Sequence, residues 1–207
     1  TKLAPGQLVE ALYRGYIDNA TFKRELRSSG FIEDKDPEIL EQLGKYIAPP
    51  TDLIRFMVRD VEDPDIVGPF GLDDDFDAKY QGLSKRFAEQ QGVDDETMRR
   101  YWLAHWTIPS PTQLYQMFHR LRNDEREDVK TDEDTVRTAL QQQDILPFWI
   151  PRLLEISFNP LTRVDTRRAF DLGDIDESGV RKSYAAQGYN DENIETLTKF
   201  SQTLKFE

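Results

Sequence analysis

Histidine and cysteine supply most of the nucleophiles, imidazole bases and soft metal ligands in proteins, and both are scarce in this chain of 207 residues. Cysteine is absent, so disulfides, thiolate metal sites and a cysteine nucleophile are excluded. The two histidines, His105 and His119, are not at a metal-ligand spacing, and no strained serine elbow accompanies them. Trp102 and Trp106 flank His105 at the spacing of one helical face. We therefore predict that this aromatic segment packs in a core and has no catalytic role.

One motif imitates a calcium site. The string Asp174-Ile-Asp176-Glu-Ser178-Gly179 follows the first half of an EF-hand loop. The twelfth position of such a loop is a bidentate glutamate, but here it is Ala185, and the eighth position, normally apolar, is Arg181. Asp176 also aligns with Asp18 in an internal repeat, where the aspartate precedes a predicted helix. We therefore predict a helix N-cap at Asp176 and no calcium site.

A second group of carboxylates is dense enough to hold a hard cation. It comprises Asp73, Asp74, Asp75 and Asp77. No defined ligand spacing accompanies the group, and such runs more often form a solvated loop that ends in a helix N-cap, where negative charge meets the helix dipole. We predict no metal and no cofactor, and keep Asp73, Asp74 and Asp75 as candidates for an interaction surface.

Phosphate chemistry and nucleic-acid binding are disfavoured by spacing and composition. Gly68, Gly71 and Gly82 have neither Walker nor dinucleotide-binding spacing. Lys and Arg number 27 against 39 Asp and Glu, and the net charge of -12 repels phosphate backbones and anionic lipids. We therefore predict no enzymatic activity and no direct contact with nucleic acid. An enzyme built on a carboxylate pair without a recognisable motif is the remaining catalytic alternative.

Internal repetition indicates which elements position these residues. Segment 15–24 aligns without gaps with segment 173–182, and the pairs Gly30-Phe31 and Gly188-Tyr189 close both at the same distance. Each copy predicts a capped helix of about three turns that ends in a left-handed residue. A third copy starts at Thr131-Asp132 and closes with Asp144-Ile145 at the same spacing from the aspartate, and a looser fourth closes with Gly92-Val93.

One helix is predicted before each copy and another after it, which indicates an all-α fold: a helical-repeat array of about four three-helix units. The predicted units are 1–48, 49–108, 109–159 and 160–207. An acidic loop insertion at 60–77 interrupts the second unit, and a charged insertion at 122–130 interrupts the third. Insertions of this kind map to one face of an array, which is often the binding face.

The third helix of each unit is predicted from apolar residues at helical spacing. The four sets are Ile39, Leu43, Tyr46 and Ile47; Met98, Trp102 and Trp106; Ile150, Leu153, Leu154 and Phe158; and Ile194, Leu197, Phe200 and Leu204.

Basic residues recur on the predicted helix faces of this acidic chain. They can serve as surface ion pairs, which stabilise little, or form a stripe for an acidic protein partner. If the repeats stack in register, the pairs Lys23-Arg24 and Arg181-Lys182 fall on equivalent faces, which favours the stripe. Together with the aspartates at 73–75, the candidate interaction surface comprises Lys23, Arg24, Arg163, Arg167, Arg168, Arg181 and Lys182.

Two segments resemble repeated segments in predicted structural proteins of tailed bacteriophages. They are Tyr101-Trp-Leu-Ala-His105-Trp106-Thr-Ile-Pro-Ser-Pro-Thr-Gln113-Leu-Tyr-Gln-Met-Phe-His119-Arg and Asn159-Pro-Leu-Thr-Arg-Val-Asp165. The similarity covers most of the chain from the second unit onward. It consists of the style of the repeats and of the junction between the Trp-His-Trp residues and the Pro-Ser-Pro-Thr residues. The resemblance implies a virion building block, such as a portal, connector or tail component, and transfers no catalytic residues.

The sequence thus predicts a non-enzymatic structural or assembly protein, located in the virion or the host cytoplasm. Its expected partners are other virion proteins or copies of itself. The alternative is an intracellular helical-repeat adaptor that binds a basic protein or peptide along an acidic face. No membrane span is predicted, because the longest uncharged stretch, 101–119, contains Pro109 and Pro111.

Overall fold

The computed structural model describes residues 2–31 and 33–204, and within them the chain is all-α and contains no strand, as the sequence predicts. None of the helices in this part of the chain combines the length and the apolar composition that crossing a membrane requires. The helices are α1 (Pro5–Tyr13), α2 (Asn19–Ser28), α3 (Asp36–Leu43), α4 (Pro50–Val58), α5 (Pro64–Val67), α6 (Phe76–Lys79), α7 (Leu83–Gln90), α8 (Asp95–His105), α9 (Pro111–Leu121), α10 (Glu133–Gln141), α11 (Ile150–Ser157), α12 (Arg163–Leu172), α13 (Glu177–Ala186) and α14 (Asp191–Leu204).

The chain divides after Pro147 into two compact units. The first unit contains α1 to α10 and the second contains α11 to α14. The boundary falls inside the predicted third unit, 109–159. The division into four three-helix units stays a prediction.

Aspartate N-caps begin three of the helices at equivalent points of the predicted repeat. The side chains of Asp18, Asp132 and Asp176 each accept a hydrogen bond from the backbone N–H three residues later, at 2.7 to 2.8 Å. These bonds satisfy one of the backbone donors that a helix start leaves unpaired. The predicted caps are therefore confirmed, whereas Gly82 precedes α7 and offers no side-chain cap.

The turns that end α2, α7, α10 and α13 share one backbone conformation. In each turn a residue with positive φ is followed by a residue whose N–H reaches back five positions to a helix carbonyl, which is the Schellman arrangement. The positive-φ residues are Gly30, Gly92, Asp144 and Gly188. The bonds run from Phe31 to Leu26, Val93 to Ala88, Ile145 to Leu140, and Tyr189 to Tyr184, at 3.0 to 3.3 Å. The predicted closing turns are confirmed at all four places.

The first compact unit contains several small apolar clusters, each built where short helices meet. Phe22 and Leu26 of α2 are fully buried against Leu8 and Val9 of α1. Another cluster joins Phe56 of α4 and Val61 to Leu103 and Ala104 of α8. A third joins Phe76, Tyr80, Ala88 and Val93, with Met98 and Trp102 packed against it.

The second compact unit has a core between α12, α13 and α14. Phe170, Val180, Tyr184 and Ile194 are buried together. The phenol of Tyr184 and the hydroxyl of Ser201 lie 3.0 Å apart, so a buried hydrogen bond joins α13 to α14. Because buried polar groups are costly unless they are paired, this bond supports one specific packing of the two helices.

Four residues assigned to third helices by their spacing lie just beyond the helix ends. Helix α3 stops at Leu43, so Tyr46 and Ile47 lie outside it. Gly44 follows the last residue of α3, and the chain passes close to α1 there. A Cβ on Gly44 would lie 2.3 Å from the side chain of Val9, so the position has room only for glycine. Trp106 follows α8 as an extended residue, and Phe158 follows α11 in the same way. For these four residues the helical assignment was wrong, because apolar periodicity does not show where a helix ends.

Candidate functional site

An open groove of about 960 Å³ lies between α4, the turn that follows it and the first half of α8. Its floor is apolar, with the side chains of Ile47, Leu53 and Met57 accessible above the buried Phe56 and Val61. The exposed fractions of Ile47 and Met57 are 83% and 75%. Large apolar side chains that lie together and open to water are typical of interaction surfaces.

The local sequence dictates this placement. Pro50 occupies the first turn of α4, where its missing N–H costs nothing, and Leu53 and Met57 are four residues apart on one helical face. Asp60 then adopts a left-handed conformation with φ of 51°. The N–H of Val61 donates to the carbonyl oxygen of Phe56 at 3.3 Å, so the chain turns back and Val61 joins the floor.

Three carboxylates and one guanidinium form the rim of the groove. Glu62 accepts a hydrogen bond from Arg100, which also pairs with Glu96 within α8. Asp63 caps α5 by accepting from the N–H of Asp65 at 2.9 Å. Asp60 is the third carboxylate of the rim. The three carboxylates outnumber the single guanidinium, so the net charge of the rim is negative.

Among the rim carboxylates, Asp60 has the environment that a nearby cation would stabilise most. Burial raises the pKa of its carboxyl, and the negative charge of Asp63 raises it further. Within the described residues its side chain makes neither an ion pair nor a hydrogen bond. A cationic group brought into the groove would relieve this repulsion between carboxylates.

Tyrosines fix the wall of the groove at its α8 side. The phenol of Tyr101 donates to Asp52 at 2.6 Å, and the Tyr46 oxygen lies 2.7 Å from the Tyr101 oxygen. The backbone N–H of Tyr46 donates to the carbonyl oxygen of Gly92 at 3.0 Å. Burial raises the pKa of Tyr101, with its bond to Asp52 as the second cause. These bonds hold segment 46–48, α4 and α8 in one arrangement around the floor.

A second depression, of about 870 Å³, lies along α9 and the segment that precedes it, and its composition differs from that of the groove. Apart from Arg120, its lining residues carry no formal charge. It therefore offers no charge pattern that would select one partner over another, and the groove at α4 is the better candidate.

The predicted acidic surface at residues 73–75 lies outside this groove. Asp73 forms an ion pair with Arg99 at 2.9 Å, and the guanidinium of Arg99 also lies over the ring of Phe76. The carbonyl oxygen of Asp74 accepts from the indole of Trp102 at 3.0 Å. Asp75 immediately precedes α6, with φ of 61°. Within residues 2–31 and 33–204, no three histidine, aspartate or glutamate side chains converge as a metal site.

The predicted basic surface divides between the two compact units. In α2, Lys23 is exposed and Arg24 makes one long ion pair, 3.4 Å, with Glu25. In α13, Arg181 occupies the position equivalent to Lys23 but is engaged by Glu177 at 3.0 Å and by Glu195 at 2.7 Å. The two equivalent pairs of the repeat thus have different surroundings.

The remaining basic candidates lie on α12 and α13. A hydrogen bond to Tyr189 raises the pKa of Arg163. Arg167 lies 6.0 Å from the ring centroid of Phe200, and both Arg168 and Lys182 are exposed. Helix α12 therefore presents three arginines of the predicted set within six residues.

The two histidines are placed in aromatic surroundings. The imidazole of His105 is exposed and lies 4.5 Å from the Trp102 ring and 4.4 Å from the Trp106 ring. His119 lies 5.5 Å from the ring of Phe118, edge to face. The ring nitrogen Nδ1 of His105 lies beside the carbonyl oxygen of Trp102, and among the described residues no serine, aspartate or glutamate side chain forms a hydrogen bond with this ring.

Fold and site together define an all-helical protein with an open apolar groove whose rim is acidic. No protein-family model, curated protein or solved structure matches this chain. The resemblance to structural proteins of tailed bacteriophages therefore stays a prediction.

The groove residues were missed when the sequence was considered alone. Leu53 and Met57 belong to the helix predicted before the second copy of the repeat, and Asp60, Glu62 and Asp63 belong to the predicted acidic insertion at 60–77; neither prediction places them in a shared site. The available signal was local: an apolar helical face followed directly by a cluster of carboxylates. Such a junction places an apolar surface and negative charge side by side.

Proposed function

We propose that this chain is a non-enzymatic structural or assembly protein that works through protein–protein surfaces. The observation that carries the proposal is the set of large apolar side chains that lie open to water, several of them together in the groove at α4. A monomer rarely leaves so many of them in water, because each exposed apolar surface forfeits the free energy of its burial. The most exposed aliphatic side chains are those of Ile47, Leu172, Ile156, Leu43 and Met57.

The setting we propose is a virion, with the chain as a portal, connector or tail component in contact with copies of itself or with other virion proteins. The resemblance of segments 101–120 and 159–165 supports this setting. The absence of a catalytic constellation around His105 is consistent with a non-enzymatic role, and the net charge of -12 disfavours a direct role in DNA binding.

The mass of the purified chain in solution tests this proposal. Light scattering over the micromolar range, followed by electron microscopy of the same sample, is expected to show a discrete cyclic or helical assembly. A strict monomer at every concentration, or a polydisperse aggregate without a fixed stoichiometry, would contradict an assembly role. Turnover of a substrate that Asp or Glu substitution abolishes without unfolding the chain would contradict the non-enzymatic assignment.

The second candidate is an adaptor that binds a basic protein or peptide. The specific observation that favours it is the acidic rim of the groove, where Asp60 lacks a cationic partner within the described residues. A monomeric wild-type chain that binds a basic amphipathic peptide, measured by fluorescence anisotropy, would favour the adaptor. Because asparagine adopts the left-handed conformation readily, Asp60→Asn removes the charge with little backbone strain and should weaken that binding.

A further inference from the structure

We propose that the groove of one copy of this chain binds the exposed face of helix α12 of a second copy. The inference rests on the proposed assembly function and names the two surfaces that would make the contact. One surface is the apolar floor and acidic rim around Met57 and Asp60. The other is the basic, apolar face of α12.

Helix α12 presents the complementary chemistry. Val164, Arg168 and Leu172 follow one another at intervals of four residues, which places them on one face of the helix. All three are exposed, Leu172 with 79% of its surface, and Leu161 continues the apolar face just before the helix starts. This face resembles the apolar anchors that helices insert into grooves when they bind other proteins.

The charges of the two surfaces are opposite in sign. The groove rim carries Asp60, Glu62 and Asp63 against one arginine, whereas the α12 surface carries Arg167 and Arg168 against one carboxylate, Asp171. Within the described residues Arg168 forms no ion pair. Placing the guanidinium of Arg168 beside Asp60 would give each group the partner it lacks and would stabilise the ionised carboxylate.

The dimensions are also compatible. Helix α12 has ten residues, and its length is about 15 Å at the usual rise per residue. A groove of about 960 Å³, open to solvent along α4, can take the side chains of two to three helical turns without closing around the helix. The contact would bury Leu53, Met57, Val164 and Leu172 together.

The geometry of such a contact has a consequence for assembly. The groove and the α12 face are different surfaces, so each copy offers one of each and the contact is head-to-tail. Repetition of a head-to-tail contact gives a closed ring or an open helical filament. Either outcome agrees with the proposed virion setting.

The test uses two variants, each of which damages one surface. Leu53→Lys with Met57→Lys places positive charge on the groove floor, and Arg168→Ala with Leu172→Ala removes the arginine and one apolar anchor from the α12 face without giving it a charge that attracts the Lys-substituted groove. All four side chains are exposed, so both variants are expected to fold, and circular dichroism checks this. Each variant alone should lose self-association by about tenfold or more, because central apolar and arginine contacts dominate interfaces.

Mixing the two variants is the decisive step. The intact groove of one variant can still bind the intact α12 face of the other, so an equimolar mixture should form a one-to-one heterodimer that grows no further. Sedimentation velocity or light scattering measures its mass. Leu43→Lys and Ile156→Glu, which change exposed apolar residues outside both surfaces, are the matched controls and should assemble like the wild type.

The outcomes separate the two proposals. If the wild type assembles but either double variant assembles equally well, or if the mixture remains monomeric, the groove and α12 are not the contact and the assembly function still stands. If the wild type is monomeric throughout the micromolar range, both proposals are wrong. A monomeric wild type whose groove binds only a basic peptide would identify the adaptor as the function.

Discussion

The indole N–H of Trp106 donates a hydrogen bond to the carbonyl oxygen of Leu72 at 2.6 Å. The bond joins the residue after α8 to the middle of the acidic insertion, 34 positions earlier in the chain. Trp102 reaches the same insertion through the carbonyl oxygen of Asp74, and the two indole rings pack edge to face at 5.7 Å. The tryptophan pair thus gives a Gly- and Pro-containing insertion a defined place against α8.

Replacing Trp106 should therefore destabilise the first compact unit. Trp106→Phe keeps most of the apolar ring but leaves the Leu72 carbonyl without its donor, and we expect a loss of about 1–2 kcal/mol in the free energy of unfolding. Trp106→Ala also removes the ring packing and should cost about 3 kcal/mol. Urea unfolding followed by circular dichroism measures both.

The matched control is Trp149→Phe, because Trp149 is an exposed tryptophan whose replacement should change stability by less than about 0.5 kcal/mol. If Trp106→Ala unfolds at the same urea concentration as the wild type, the role assigned to the tryptophan pair is wrong.

Gly92 is a second position where a small change should have a large effect. Its φ is 74°, and a Cβ there would lie 2.6 Å from the carbonyl oxygen of Gly44. Gly92→Ala must therefore strain the left-handed turn and also displace the backbone beside Tyr46. We expect a loss of about 2–3 kcal/mol in the free energy of unfolding.

Gly15→Ala separates the two contributions. Gly15 has nearly the same φ, 71°, but a Cβ there would meet no atom within 4 Å. Gly15→Ala should therefore lower the free energy of unfolding by the conformational strain alone, about 1 kcal/mol. Equal losses for the two variants would show that the close approach of Gly92 to Gly44 contributes nothing.

The N-cap at Asp132 should make stability depend on pH. The backbone N–H of Thr135 donates to its carboxylate at 2.8 Å, and this hydrogen bond lowers the pKa of Asp132 below its ordinary value of 3.8. A lowered pKa in the folded state stabilises the protein above the unfolded-state value, and this contribution is lost as the pH falls below about 4. Asp132→Ala should cost about 1 kcal/mol at neutral pH.

Asp132→Asn is the informative comparison, because asparagine caps helices about as well as aspartate but does not titrate. Its stability should lie close to the wild-type value at low pH and fall slightly below it at pH 7. Urea unfolding of both proteins from about pH 2 to pH 7 gives the difference curve. A difference that is constant across this range would contradict the assigned pKa shift.

The phenol of Tyr80 should ionise at a higher pH than an ordinary tyrosine. Burial, and then a hydrogen bond from its phenol to Asp95, raise the pKa of Tyr80 to about 12. Because the raised pKa belongs to the folded state, its contribution to stability is present below about pH 10 and is lost as the pH rises toward about 12. Phenolate absorbance should therefore show a late component that Tyr80→Phe reduces.

Tyr16→Phe provides the control. Tyr16 is exposed, so this substitution removes one tyrosine without changing the contact between Tyr80 and Asp95. A late component of the same size in Tyr80→Phe and in the wild type would show that Tyr80 ionises in the ordinary range.

The features that the sequence predicted correctly are those set by neighbouring residues. An aspartate at the start of a helix can accept a hydrogen bond from the backbone N–H three residues later, and this bond caps the helix. A glycine or aspartate with positive φ allows the local hydrogen bonds that end a helix. The caps at Asp18, Asp132 and Asp176 and the turns at Gly30 and Gly188 were therefore predictable from short segments. The all-α class followed from the same local signals.

Tertiary structure alone decided which apolar residues are covered and which remain in water. Helical spacing shows that residues share a face, but it does not say what packs on that face: Leu53 and Phe56 are three residues apart on one side of α4, yet Phe56 is buried and Leu53 is exposed. The groove also needs segments that are distant in sequence, since Thr97 and Arg100 lie opposite residues 60–64. Burial and charge complementarity depend on such long-range contacts, and no local pattern encodes them.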